Sequence, residues 1–575
     1  MYIESVPNRN SPPAILVRES VRIGARIVKR TVANVSHLPE HCIDVLRKAL
    51  RGETLVEPSS AFDKIDDRFH GGCEAVRIAM RQIGFDSLLD SRRSRKRNLV
   101  IAMVVMRILN PKSKLATTRL WSAYTIAEDL GLSDADEQEL YSAMDWLLAQ
   151  QARIERKLAA RHLHDGCHAL YDLSSSYFEG GKCPLARRGY SRDGKPGKLQ
   201  INYGLLTDGL GCPVCISVFP GNATDSSTLP SQLTKLRDDF GLSSVVLVGD
   251  RGMICQKQID SIAEQDGLAW ITALRSQKVK HLVAEGAVQI GLFDDRNLFE
   301  ITHPDYPNER LIACKNHELA HRRARIRESL LAATEAKLQK VKDAVVREKR
   351  PLRGAAKIAL RIGREVNRHK VAKHFELDIT DTTFEFRRKH QQISDEAALD
   401  GIYIVRTSLS SEQSSPADTV RDYKSLSRVE RAFRTIKTTD LAIRPIHHRT
   451  EDRVRAHIFV CMLAYYVQWH MQRALQPMLF ADEMTDEQKA QRDPVAAAKR
   501  SPTALDKVST KKLNDGTAPH SFRTLLCDLS RIVRSTCRIR GTDTQGATFQ
   551  ITTSRSPPQQ RVMELLAAIR PYPVR

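Results

Sequence analysis

Long apolar runs are missing from this 575-residue chain. No stretch approaches the roughly 18 consecutive apolar residues needed to span a bilayer, so no membrane partner is expected. The first twenty residues, MYIESVPNRNSPPAILVRES, lack a basic segment followed by an apolar one, which predicts no secretory leader and a cytoplasmic location. Acidic residues are in deficit, 68 Asp and Glu against 90 Lys and Arg, leaving a formal net charge of +22. Such an excess concentrates polyanions and releases their counterions on binding, so nucleic acid is the expected partner. The 11 cysteines are an odd number spread over the whole length, which excludes a disulfide-stapled scaffold and fits a reducing compartment. Cys212 and Cys215 form a lone CxxC in an apparent strand, without a second pair to complete a zinc site. His457 and Cys461, four apart on an apolar helix, read as packing residues.

The chain is too long for one ordinary core, and two to four units are expected. Residues 1–70 read as strands and loops with a helical piece near 39–50. Residues 71–165 are helical by the three-and-four spacing of KRNLVIAMVVMRILN and EQELYSAMDWLLAQQARIERKLAARHL, a region that either reads DNA ends or only packs. At Ala169 the texture changes, and 166–275 reads as a sheet: HALYDLSSSYF, LQINYGLLTD and CPVCISVF, a helix, the continuous apolar run SSVVLVGD, a helix closed by Gly267, then LAWITALR. Three antiparallel strands, helix, parallel strand, helix and strand is the order of a ribonuclease H-like α/β fold, a mixed sheet flanked by helices. Residues 276–415 form an inserted α+β domain, because no interval that long stays unstructured inside a compact fold. Its long basic helix carries Leu330, Thr334, Leu338, Val341 and Val345 on one face, and strands follow in KHFELDIT, TTFEFRRK and GIYIVRTSL. The core resumes at 416–478. Residues 479–521 read as a polar linker and 522–575 as a C-terminal module without an assigned task.

Chemistry concentrates in YKSLSRVERAFRTIK, residues 423–437. Read as one helix, it aligns Tyr423, Glu430 and Lys437 on a polar face and Leu426, Val429, Phe433 and Ile436 on a core-facing stripe. Glu430 and Arg434 are spaced for an ordinary i, i+4 ion pair, the bland alternative. Asp172 and Asp250 each emerge from a strand of burial-prone residues, where a carboxylate must be capped, paired or bound to a cation. For Asp250 a helix cap serves as well as a metal, and for Asp172 a turn does. Taken together, Asp172, Asp250 and Glu430 offer hard oxygen ligands for two Mg2+ ions about 3.5–4 Å apart, with Mn2+ as a substitute. Beyond this helix, Arg444, His447, His448 and Arg449 make a basic turn suited to DNA, although His448 and His457 serve equally as structural residues.

The set YDLSSSYFEG, VFPGNATDSSTL, VVLVGDRGM and YKSLSRVERAFRTIK resembles the insertion-sequence DDE transposases, in the branch with a large insertion between the second Asp and the Glu. The resemblance covers roughly residues 70–475. It implies that Asp172, Asp250 and Glu430 are the metal-binding catalytic triad, and that Tyr423 and Lys437 contact DNA phosphate. The family's signature Arg is replaced here by Leu426, so the phosphate grip departs from the family pattern; Arg434, and beside it Arg431, are the candidates to supply it. Some relatives stack a flipped base on a Trp of the insertion. All four Trp here, at 121, 146, 270 and 469, lie outside it, leaving Phe375, Phe384 or Phe386 to stack or to pack. The expected activity is Mg2+-dependent cut-and-paste transposition, with element ends and target DNA as partners, a homodimer bridging two ends, and a nucleoid-associated, bacterial-type location. A structure-guided nuclease on the same fold, or a non-catalytic regulator, is the alternative.

Overall fold

The first three strands of the chain pair with one another, and the fourth finds its partner far along the sequence. The computed structural model describes residues 1–575 apart from 54–60, 439, 485–487, 489–490, 540–547 and 571–575. Contacts divide it into two units, Met1–Phe69 with Ile532–Ser554, and His70–Arg531 with Arg555–Arg575. In the first unit, β1 (Tyr2–Val6), β2 (Ala14–Ile23) and β3 (Arg26–Asn34) form an antiparallel sheet. A second sheet joins β4 (Phe62–Phe69) to β15 (Val533–Ile539) and β16 (Thr548–Thr552). The stretch 522–575 is therefore not one module. A two-stranded hairpin is marginal by itself, and β15 gains a third strand by pairing with β4. Its flanking helices, Phe522–Leu529 and Pro557–Ala567, pack instead on helix Gly71–Gln82 of the second unit.

The second unit is built on an eight-stranded mixed sheet. Its strands are β5 (Cys167–Tyr177), β6 (Gln200–Asp208), β7 (Pro213–Pro220), β8 (Val245–Val248), β9 (Leu268–Ala273), β10 (Leu298–Ile301), β11 (Arg310–Lys315) and β14 (Ile402–Thr407), in the order β10-β11-β14-β9-β8-β5-β6-β7. β8 runs parallel to β5 and β9, and the other pairs are antiparallel. All four residues of β8 are buried, as a run of branched apolar side chains covered on both faces must be. Helix Glu451–Ala474, apolar almost all round, is buried along most of its length and packs on β7 and on helices Arg95–Leu109 and Glu137–Ala149. The expected mixed α/β sheet with many helices is present.

The inserted region divides in a way its composition does not reveal. β14 pairs onto β9, Val405 opposite Ala273 and Thr407 opposite Ile271, so β10, β11 and β14 extend the main sheet. They cover an edge of β9 that would otherwise present unpaired backbone groups. The hairpin of helices His317–Val346 and Ala355–Val366, with β12 (Phe375–Ile379) and β13 (Phe384–Arg388), has a core around Leu331, Leu338, Ile358, Phe375 and Phe384, separate from the one that helix Ser276–Ala284 forms with β10, β11 and β14. Phe386 stacks on Phe384 at 5.8 Å, so these rings serve packing. The stretch read as linker contains helix Pro502–Thr510, started by the Ser501 side chain. Residues 485–487 and 489–490 of that stretch lie outside the described residues. Among the described residues, no helix is long and apolar enough to cross a membrane.

Candidate active site

Strand register brings two acids together. The parallel pairing of β5 with β8 runs from Cys167 opposite Val245 to Leu170 opposite Val248. Two further residues along each chain set Asp172, midway along β5, beside Asp250, which lies just past the carboxyl end of β8. The Asp172 Oδ1 accepts the Leu173 N–H at 2.8 Å. Asp250 Oδ1 accepts the N–H groups of Gly252 at 2.9 Å and Met253 at 2.8 Å. One oxygen of Asp250 thus caps a tight turn, while the following helix begins only at Gln256. Its Oδ2 has no protein donor among the described residues.

Glu430 arrives on helix Leu426–Lys437, whose stripe of Leu426, Val429, Phe433 and Ile436 is buried as expected. The helix lies on β5, and its Phe433 ring meets Tyr203 edge-on at 5.8 Å. Glu430 is exposed at the rim, and the i, i+4 pair with Arg434 does not form. Tyr423 is not on this helix. It ends helix Pro416–Lys424, and Ser425 breaks the run by donating its hydroxyl to the Asp422 carbonyl at 2.6 Å. Tyr423 still lies close to the acids: burial, then the charges of Asp250 and Glu430, push its phenol up to about 12.

Asp172, Asp250 and Glu430 line one cleft of about 430 Å3, with Arg434 and Lys437 along its wall. Burial, with the charges of Asp250 and Glu430, raises the Asp172 carboxyl to about 7 against the opposing Leu173 N–H and Arg192. The three carboxylates do not all lie within 4.8 Å of one another. Arg431 is one residue from Glu430, about 100° round the helix, and faces a different groove beside Tyr465 and Trp469. Lys437, expected to contact DNA phosphate, borders the cleft with its ammonium already engaged. Its Nζ pairs with Asp193 Oδ1 at 2.7 Å and donates to Ser174 Oγ at 3.0 Å, and desolvation lowers its pKa.

Two acids of the cleft escaped the sequence reading. Asp193, in the Gly-rich basic loop, has a fully buried side chain that meets Lys437 and Arg444, the latter at 2.5 Å, and accepts the Tyr177 N–H at 3.1 Å. An Asp-Gly pair among arginines reads as a turn, and only the fold shows the two cations it neutralises. Asp225 opens helix Asp225–Thr234, lines the cleft and pairs with Arg192. The CxxC also resolves differently from its spacing. Cys215 faces Lys235 at 3.5 Å, while Cys212 meets the Nε2 atoms of His162 at 3.8 Å and His470 at 3.9 Å. Among the described residues, this is the one group of three or more His, Cys, Asp or Glu whose ligand atoms all fall within 4.8 Å. Its members are 50 and 258 residues from Cys212, beyond any local motif.

The family described as Transposase DDE domain matches residues 165–467, more than half of the chain. No curated protein matches. Among solved structures, the chain is similar to the piggyBac transposase synaptic complex with hairpin DNA, determined by cryo-EM. That likeness is at 10% identity, over 77% of this chain and 87% of that one, with a TM-score of 0.31. The matched segment runs from the strand carrying Asp172 to the helix beyond Glu430, and the chain belongs to the DDE-domain transposase family.

Proposed function

We propose that this transposase acts on an insertion sequence by cut-and-paste chemistry, cleaving element ends and joining the freed 3′-hydroxyl to target DNA. The observation that carries the reading is the meeting of Asp172, Asp250 and Glu430 in one open cleft of a chain with net charge +22. The order of β5, β6, β7, helix, β8, helix and β9 supports a ribonuclease H-like core around it. The donor set fits divalent cations. Oxygen ligands are what Mg2+ prefers, Glu430 and the Asp250 Oδ2 have no cationic partner among the described residues, and burial first, then the charges of Asp250 and Glu430, raises the Asp172 carboxyl. Asp172, Asp250 and Glu430 would hold two Mg2+ ions, with Mn2+ as a substitute. Bound there, the metal supplies activation of the attacking hydroxyl and charge stabilisation at the leaving oxygen.

The chain's own residues position the strand. Arg434, exposed one turn beyond Glu430, presents a fork to a phosphate in the cleft and takes the role that Leu426 cannot fill. Lys437, through Asp193 and Ser174, ties the Glu430 helix to β5 and keeps the third acid in register with the first. Tyr423 lines the approach from the preceding helix. Two element ends require two active sites, so the working form is a homodimer on DNA. Asp250→Asn and Glu430→Gln should each abolish Mg2+-dependent cleavage of an element end while leaving DNA binding intact. Retention of cleavage in either variant would overturn the triad.

A further inference from the structure

Next to the acid cleft lies a cavity of about 560 Å3 with the opposite character. Arg107, Lys112, Lys114, Arg449 and Arg453 face it, and among the described residues no Asp or Glu does. Arg444 lines both this cavity and the cleft that holds Asp172, Asp250 and Glu430, so one side chain forms part of both walls. Arg444 has Asp193 as its counter-charge; among the described residues the other five cations have no carboxylate within ion-pair distance. Arg453 lies over the Tyr141 ring at 4.3 Å. Arg107 directs its guanidinium to the carbonyls of Leu441 and Lys112, at 3.5 and 3.4 Å.

Lys114 makes the arrangement unusual. It is 5% exposed, and among the described residues its Nζ has one hydrogen-bonding neighbour, His457 Nδ1 at 3.2 Å. His457 Nε2 lies 3.1 Å from the Ile443 carbonyl and must donate there, which leaves Nδ1 as an acceptor for the Lys114 amine. A buried ammonium among other cations carries a desolvation cost that one neutral acceptor, His457 Nδ1, offsets only in part, and no carboxylate among the described residues pairs with it. The missing component is a negative charge of a size that reaches several donors at once. Phosphate, with oxygens for Arg forks and for a point-charge Lys, fits that donor set.

We propose that this cavity seats a backbone phosphate of the DNA strand whose scissile phosphate enters the acid cleft, with Arg107 and Lys114 at its floor and Arg449 and Arg453 nearer solvent. The assignment rests on the DNA-transposase reading above. It makes the loop after the Glu430 helix a clamp that fixes strand register on the far side of Arg444.

The test uses the full-length protein, a short blunt DNA duplex and EDTA, with affinity measured over a salt series. Lys114→Met and Arg453→Gln should each weaken binding about 5- to 10-fold near 0.1 M salt. Each should also flatten the slope of log affinity against log salt by about 0.9, the loss of one phosphate contact. Lys114→Met should keep or raise the melting temperature, so folding does not confound it. Folded variants with the wild-type slope would overturn the proposal. So would a cavity that answers only to free phosphate, seen as inorganic phosphate raising the melting temperature of the wild type but not of Lys114→Met, with DNA affinity equal in both. If the wild-type protein binds no DNA, it is the transposase reading itself that fails.

Discussion

Replacing Lys114 by Met should stabilise the ligand-free protein at neutral pH and make it less sensitive to pH. Burial, with repulsion from Arg107, lowers the Lys114 pKa from 10.5 to about 7. The unfolded chain therefore keeps this proton up to about pH 10, whereas the folded chain gives it up above about 7. Between those values the unfolded state binds more protons, so this group makes stability rise with pH. The slope is about 1.4 kcal/mol per pH unit near pH 8–10 and about half that at pH 7. Relative to an uncharged side chain, the penalty is about 4 kcal/mol at pH 7 and about 1 kcal/mol at pH 10. Met matches the length of the lysine stem and carries no charge, so it removes that penalty without opening a large cavity. Urea unfolding of both proteins at pH 7, 8, 9 and 10 should show a gap in favour of the variant that closes as pH rises. A gap that does not depend on pH, or a variant less stable at pH 7, would show that the ammonium already has a counter-charge and would refute the reasoning.

Asp193→Asn leaves Lys437 and Arg444 without their shared buried anion and should cost about 3–5 kcal/mol, read as a fall in melting temperature; an unchanged value would exclude Asp193 as the neutralising group. Gly204→Ala puts a Cβ on β6 that points at the buried Tyr171 hydroxyl, itself bonded to Thr228 at 3.1 Å, and should cost about 1–3 kcal/mol in thermal unfolding through overpacking. In native protein a thiol reagent should label Cys527 first, with Cys42 and Cys255 more slowly, and the buried thiols only after unfolding. Rapid native labelling of Cys212, which burial pushes to high pKa, would contradict its position.

Much of the acid site was legible because each acid sits in a strong local pattern. VVLVGD is a buried strand ending in a carboxylate, and the stripe of Leu426, Val429, Phe433 and Ile436 orients a helix by itself. The error at Tyr423 came from carrying that periodicity through Ser425, whose hydroxyl competes for a backbone carbonyl and ends the first helix. Arg431 was grouped with Arg434 by charge, and at i, i+3 the two lie only about 60° apart, yet Arg434 lines the acid cleft while Arg431 borders a different groove. Asp193 and Lys114 carried no local signal. Each looks ordinary in sequence, and each is defined by partners contributed from distant segments.

By itself, the sequence determined the excess of positive charge, the strands and helices with clean periodicity, and the three acids that lie on them or just beyond. Those properties are local, since side-chain period and composition follow from a few consecutive residues. The tertiary structure alone decided that β5 and β8 run side by side in a register that sets Asp172 beside Asp250. It also extended the main sheet with strands of the insertion, divided the C-terminal segment between two units, and gathered cations around Lys114. Each of those outcomes depends on pairing between residues far apart in the chain, where the satisfaction of backbone edges and buried charges, rather than local preference, selects the partner.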